Sequence, residues 1–107
     1  MKAAQTLQKA LRLLERAQLN SALEELHLTV HYAGRENDLV TEIQARVALG
    51  EALLTPRSGV VPGRQEVHEA KLQLEQALKL AAGLEDQDLV RAEVSRAHEL
   101  LGALPQT

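Results

Sequence analysis

Apolar side chains recur along the whole chain at the three-to-four-residue spacing of amphipathic α-helices. In the first segment, Leu7, Leu11 and Leu14 follow one another on one helical face. Similar segments follow, and nowhere do apolar and polar residues alternate over the length of a strand. We therefore predict an all-α fold of about five antiparallel helices. The predicted helices cover residues 3–18, 22–33, 38–54, 64–82 and 87–104.

Residues that favour helix ends separate these segments. Asn20 suits a left-handed helix stop, and Ser21 with Glu24 forms a Ser-x-x-Glu capping box. We therefore predict a turn of about three residues between the first two helices, which forces them to lie antiparallel and in contact. Gly34 and Gly83 are each predicted to end a helix.

A longer loop, residues 55–63 (TPRSGVVPG), interrupts the helical pattern. Two prolines and two glycines prevent it from continuing either neighbouring helix. Val60 and Val61 at its tip either fold back on the core or project as a contact, and we favour folding back. The third helix, just before this loop, is apolar on more than one face, so we expect it in the middle of the stack.

Composition supports the all-α prediction and argues against a disulfide-stabilised or membrane-spanning protein. Strong helix formers dominate, with one Tyr and no Phe or Trp. The chain has no cysteine, a net charge of −3 and no apolar run of the roughly 20 residues that cross a membrane. Its charged N-terminal segment is unlike a signal peptide. We expect one cytoplasmic domain, residues 1–107, without membrane contact.

Small, large and small side chains share one face of the fourth helix, at Ala70, Leu74 and Ala77. This spacing lets another helix approach closely at the two alanines while the leucine fills the space between them. The second helix carries a looser version of the pattern, formed by Ala22, Leu26 and Thr29. The chain therefore reads as a tandem of helical hairpins.

These two sets, with Leu49-Gly50 and Leu53 in the third helix, resemble the tetratricopeptide repeat family. The phrase QLEQALKLAAGLEDQDLV is similar to the long-helix variant of bacterial signalling and transcription-regulator proteins. The resemblance covers about residues 21–104. The large aromatic residues and the inter-repeat proline of the family are absent, and the 55–63 loop replaces its short turn. A plain helical bundle is the alternative.

The resemblance implies a right-handed superhelix that acts as a non-catalytic scaffold and binds a peptide, a helix or an identical subunit. The first helices of the hairpins would line a concave binding groove. The groove residues implied in the third and fifth helices are Gln44, Val47, Glu51, Leu54, Arg91 and Ser95. The alternative is that these positions belong simply to the core and to the solvated faces.

The fifth helix carries an unusually wide apolar face, whereas the terminal helix of a stack should have one polar side. Burying one leucine is worth about 1.5–3 kcal/mol, so leaving several exposed would be costly. We therefore predict that the chain forms a homodimer, or binds a partner, across this helix. The predicted interface consists of Leu89, Val90, Val94, Leu100, Leu101 and Leu104.

Two histidines are weak candidates for a metal site. His27 and His31 lie four residues apart, so both imidazoles could reach one ion, with Glu24 as a third ligand. No His-Glu-x-x-His pattern accompanies the pair. The more ordinary interpretation is two histidines on a solvated helix face, and we expect no cofactor.

Nucleic-acid binding and catalysis are not expected. Lys9, Arg12 and Arg16 form a basic stripe on the first helix, but the chain is net negative and no aromatic residues accompany the stripe. No glycine-rich phosphate loop or thiol is present, and the serines lack recognisable catalytic motifs. The alternative function is a small helical regulator that binds nucleic acid, metal or a small ligand.

Overall fold

The computed structural model describes residues 1–57 and 59–104, and this part of the chain is all-helical. It consists of α1 (Lys2–Glu15), α2 (Leu19–Glu36), α3 (Leu39–Leu54), α4 (Arg64–Ala82) and α5 (Arg91–Gly102). A 3-10 turn, Gln87–Val90, precedes α5. The all-α prediction is therefore confirmed. None of the described helices combines the length and the hydropathy that crossing a membrane requires.

The helices stack as hairpins, with each one packed against the next along the chain. In addition, α3 contacts both α1 and α5, so these three helices form one layer and α2 and α4 lie behind them. The central position of α3 agrees with its apolar pattern, since it buries residues on several faces. Its buried residues are Thr41, Glu42, Ile43, Ala45, Val47, Leu49, Gly50, Ala52 and Leu53.

Two apolar clusters meet at α3. Ala45 and Leu49 belong to the first cluster, together with Leu7 and Ala10 of α1, Leu26 of α2 and Ala70 of α4. The second cluster lies between α3, α4 and α5. Its buried members are Ile43, Val47, Leu74, Ala77, Ala81, Val90 and Ala97. The core is thus continuous through α3 rather than confined to one hairpin.

The small-large-small residues occupy the core positions that the sequence pattern predicts. Ala70, Leu74 and Ala77 are buried on α4, and their counterparts on α2, Ala22, Leu26 and Thr29, are buried too. Gly50 of α3 lies directly opposite Leu74: a Cβ atom added there would be 2.7 Å from Leu74 Cγ. The glycine therefore allows α3 and α4 to approach more closely than any other residue would permit.

The predicted turn between the first two helices is wrong in detail. The left-handed residue is Ala17, with φ of 58°, and α2 already begins at Leu19. Ser21 consequently lies inside the helix, and its capping box does not form. The earlier start leaves the Asn20 side chain in position to accept a hydrogen bond from Arg57 Nη1 at 2.9 Å, which ties the first turn to the 55–63 loop.

The second helix also ends later than predicted. It continues through Gly34 to Glu36, and Asn37 makes the left-handed stop with φ of 56°. The extra length brings the Glu36 carboxylate to the start of α1, where it accepts hydrogen bonds from the N–H groups of Lys2 (3.1 Å) and Ala3 (3.4 Å). A carboxylate at this end satisfies amides that have no partner within α1 and opposes the positive pole of the helix.

Two other helix boundaries agree with the sequence prediction. Asp38 begins α3, because its Oδ1 accepts a hydrogen bond from the N–H of Thr41 at 3.1 Å. Gly83 follows the last residue of α4. The fifth helix differs, since its first residues form the 3-10 turn and the α-helical part begins only at Arg91.

The prediction that the loop valines fold back on the core is wrong. Val60 and Val61 are 69% and 74% exposed. Backbone hydrogen bonds join Arg57 N to Val60 O at 3.0 Å and Val60 N to Arg57 O at 2.8 Å, and Gly59 has φ of 80°. This paired backbone and the Arg57–Asn20 contact hold the turn in a position from which Val60 projects.

Candidate binding groove

An open groove of about 380 Å³ runs between α1 and α5, across the exposed face of α3. Its lining residues are Leu7, Leu11, Gln44, Val47, Ala48, Glu51, Ala92, Glu93 and Arg96. The three helices that form it belong to one layer of the fold, so the groove is a direct consequence of their side-by-side packing.

Helical periodicity explains why these side chains converge. Gln44, Ala48 and Glu51 follow one another at spacings of four and three residues, which places them on one face of α3. Leu7 and Leu11 lie one turn apart on α1, and they form one wall of the groove. The opposite wall comes from α5, where Ala92, Glu93 and Arg96 occupy its first two turns.

The structure brings together three of the predicted groove residues. Gln44, Val47 and Glu51 line the groove, although Val47 is mostly covered by the second apolar cluster. Leu54 lies outside it, in a separate apolar pocket that α3 shares with α5.

The predicted α5 residues Arg91 and Ser95 are not part of the groove lining. Arg91 is instead paired with the carboxylate of Asp88 in the preceding turn. Each predicted position precedes a true lining residue, Ala92 or Arg96, by one. The sequence prediction treats residues 87–104 as one continuous α-helix, whereas the α-helical part begins only at Arg91, after the Gln87–Val90 turn.

Two groove residues on α1 were missed by the sequence analysis. Leu7 and Leu11 were assigned only to the apolar stripe that packs α1 on its neighbours. Leu7 is buried, but Leu11 is 42% exposed. The signal that could have identified them is the position of α1 as the first helix of a hairpin, in the same layer as α3.

An ion pair crosses the floor of the groove between α3 and α5. Arg96 Nε donates to Glu51 Oε1 at 2.6 Å, and Arg96 Nη1 donates to Glu99 Oε2 at 3.1 Å. The hydrogen bond to Glu51 is the main cause that raises the pKa of Arg96 above its usual value, with a smaller contribution from Glu99. The two carboxylates thus hold the guanidinium at the junction of α3 and α5.

The side of the groove near α5 carries more negative than positive charge. Arg96 is its cation, whereas Glu51, Glu93 and Glu99 supply carboxylates. Among the residues that the structure describes, Glu93 forms no ion pair. A basic side chain that entered the groove would find an available carboxylate there.

The apolar face predicted to form an oligomer interface is largely covered within the chain. Val90 is fully buried, which corrects its assignment to an interface, and Leu89 is 58% exposed. Val94, Leu100 and Leu101 pack against the second apolar cluster, and Leu104 lines the separate apolar pocket.

The open side of α5 carries Arg91 and His98, which are exposed. This is the polar side expected of a terminal helix. Of the six predicted interface residues only Leu89 is exposed, so the cost of several exposed leucines, from which a dimer along the length of α5 is predicted, does not arise.

The histidine pair lies on an exposed face of α2. His27 Nε2 is 3.6 Å from Glu69 Oε1 of α4, and the His31 ring packs beside Tyr32. Within residues 1–57 and 59–104, no group of three or more His, Cys, Asp or Glu side chains is placed to hold a metal ion. Glu24 therefore does not complete a site with the two histidines.

The basic stripe of α1 points away from the groove. Lys9 Nζ lies 3.2 Å from Glu25 Oε1, on the side of α1 that faces α2. Arg12 and Arg16 are exposed to solvent. These positions agree with a solvated face rather than with one wall of a binding site.

Comparison of the chain with protein-family models, with curated proteins and with solved structures finds no match.

Proposed function

We propose that the chain is a non-catalytic protein-interaction module of the tetratricopeptide-like kind, acting in the cytoplasm, which binds a segment of another protein in the groove formed by α1, α3 and α5. The observation that carries this proposal is the convergence of Gln44, Val47 and Glu51 in one open groove. The resemblance to the tetratricopeptide repeat family implies these positions, and the groove geometry supports their assignment to a common surface.

The groove suits the apolar side of an amphipathic helix. Leu7 and Leu11 form an apolar wall, and the small side chains of Ala48 and Ala92 leave room for a partner backbone to come close. Helical partners bind such grooves with apolar residues spaced three or four positions apart. Because the layer of three helices is rigid, this chain loses little conformational freedom when a partner binds.

Charge favours a partner segment that carries at least one lysine or arginine. Glu51 is already paired with Arg96, but Glu93 is available on the opposite wall. The net charge of −3 on the whole chain adds a weak long-range attraction for basic segments. We therefore expect the preferred ligand to be a basic amphipathic helix rather than an acidic or uncharged one.

A displayed library of helical peptides, selected on the purified chain, tests the proposal. Selected peptides should combine apolar residues at helical spacing with Lys or Arg, and their affinity should be measured by fluorescence anisotropy. Ala48→Arg should weaken binding at least tenfold, because its side chain fills the groove. Leu72→Arg, at a 53% exposed position of α4 outside the groove lining, is the matched control and should bind normally.

Glu93→Lys tests the chemical class of the partner. It should weaken the binding of the basic peptides and strengthen the binding of peptides in which the basic residue is replaced by Glu. Peptides that bind wild type, Ala48→Arg and Glu93→Lys equally well would contradict the proposal, since their binding surface would then lie elsewhere.

A further inference from the structure

A second concave surface lies at the other side of α5, where the ends of α3 and α5 meet the loop before α4. It is an apolar pocket of about 470 Å³. Its lining residues are Leu54, Val61, Pro62, Val67, Leu100, Ala103 and Leu104. Within the described part of the chain, this lining contains no charged side chain, in contrast to the acidic side of the groove.

A projecting apolar side chain stands next to this pocket. Val60 is 69% exposed, and its neighbour Val61 lies on the pocket rim. The paired backbone of Arg57 and Val60 and the hydrogen bond from Arg57 to Asn20 hold Val60 in place. A projection that is already ordered loses little conformational freedom when it is buried against a partner.

We propose that two copies of the chain associate through this patch, with Val60 of each copy seated in the apolar pocket of the other. A twofold contact requires one surface that is complementary to itself. The patch meets this requirement because it contains both the projecting Val60 and the apolar pocket that would receive it. Each twofold pair would form the contact twice.

Electrostatics favour this patch over the groove for self-association. The chain carries a net charge of −3, so two copies repel one another weakly at most orientations. The pocket lining adds no charge to this repulsion, whereas the groove would bring Glu93 and its neighbours close to another negative chain. A second copy is therefore a better occupant of the pocket than of the groove.

The proposed interface differs from one along the whole of α5. It retains Leu100 and Leu104 but uses only the C-terminal end of the helix, together with Val60, Val61 and Pro62 of the loop. The seven residues of the pocket lining and Val60 are fewer than the roughly 20 residues that each partner contributes to a stable interface, so we expect a weak, concentration-dependent dimer. The competing arrangement is closure of Val61 into the pocket of its own chain, without any dimer.

Analytical ultracentrifugation of the full chain from low to high micromolar concentration tests the proposal. The mass should rise from 11.7 kDa towards twice that value. Val60→Asp should keep the mass at 11.7 kDa at every concentration, whereas Leu72→Asp, which also adds a carboxylate at an exposed apolar position, should dimerise like wild type. Circular dichroism should show unchanged helix content, because both positions are exposed.

A charge pair separates a reciprocal contact from a general effect of added charge. Val60→Lys alone and Ala103→Glu alone should each be monomeric. A mixture of the two variants should restore a dimer, since the introduced lysine of one copy would then meet the introduced glutamate of the other, and the remaining Val60 would enter an unmodified pocket. A monomeric wild type, a dimer that persists in Val60→Asp, or no rescue in the mixture would overturn the proposal. None of these outcomes bears on peptide binding in the groove.

Discussion

The α1–α2 and α3–α4 hairpins share one packing pattern but have different connections between their helices. In both, the second helix buries a large residue between two small ones: Leu26 between Ala22 and Thr29, and Leu74 between Ala70 and Ala77. The first hairpin closes through a short turn at Ala17, whereas the second spans the loop that carries Val60.

The surfaces that receive the two leucines also differ. Gly50 of α3 lies against Leu74. The helix α1 contains no glycine, and its Ala10 is buried in the cluster with Leu26.

The difference indicates which features of a hairpin are required and which are free to vary. Since lengthening a loop adds only a small entropic cost, a long connection can be inserted without loss of the helix pair that it joins. The sizes of the small and large buried residues cannot vary in the same way, because a methylene added to or removed from a close-packed core changes stability directly. The hairpins are therefore equivalent in packing and different in the surface that their loops provide.

Removing the large residue of each pattern should have the largest effect. Leu26→Ala and Leu74→Ala should each lower the free energy of unfolding by about 2–5 kcal/mol, because both side chains are fully buried. Urea denaturation of the two variants measures the loss. Leu72→Ala, at an exposed position of α4, is the control and should stay near wild type. If one of the two buried leucines proved dispensable, the hairpins would not be equivalent.

Enlarging a small residue of the pattern should have the next largest effect. Ala70→Leu and Ala77→Leu should each destabilise by about 1–3 kcal/mol, since both alanines are buried against neighbouring helices. Ala82→Leu, at the exposed end of the same helix, should change stability by less than about 0.5 kcal/mol. Thermal and urea unfolding measure the change, and tolerance of both buried substitutions would show that the alanines are not close-packing sites.

The features that could be predicted from sequence are those that depend on local periodicity. The central position of α3 follows from apolar residues on several of its faces, and the burial of Leu26 and Leu74 follows from small residues at helical spacing on either side. Gln44 and Glu51 are groove residues that the resemblance to the tetratricopeptide repeat family implies, and both line the groove.

The features that were missed depend on contacts between residues distant in sequence. The end of α2 extends to a length at which Glu36 accepts hydrogen bonds from the first amides of α1, and Arg57 in the loop is bonded to Asn20 at the start of α2. The fifth helix begins with a 3-10 turn, and Arg96 rather than Ser95 lines the groove. A pattern within one segment contains none of this information, so boundaries and registers differ although the helices themselves were predicted.

Gly50→Ala should change the free energy of unfolding with a sign that depends on whether residue 74, opposite the glycine, is Leu or Ala. With Leu74 present, the added Cβ would overlap Leu74 Cγ, so the overpacking cost of about 1–3 kcal/mol should exceed the gain of up to about 1 kcal/mol from replacing glycine within a helix. In the Leu74→Ala background the overlap disappears, and Gly50→Ala should then stabilise the chain. A double-mutant cycle by urea denaturation measures this coupling. The same sign in both backgrounds would contradict the close approach of α3 and α4.

The smallest expected effect concerns the one polar member of the two patterns. Thr29 Oγ1 lies 2.9 Å from Thr6 Oγ1 and 2.7 Å from Glu25 O, whereas the equivalent Ala77 makes no side-chain hydrogen bond. Thr29→Val keeps the shape of the side chain but removes its hydroxyl, and with it both contacts. It should therefore lower the free energy of unfolding by about 0.5–1.5 kcal/mol. Thr6→Val keeps Thr29 bonded to Glu25 O and should therefore be milder. If the contact between the threonines stabilises the first hairpin, the double variant should lose less than the two single losses combined. Strict additivity would assign the effect to the hydrogen bond with the Glu25 carbonyl.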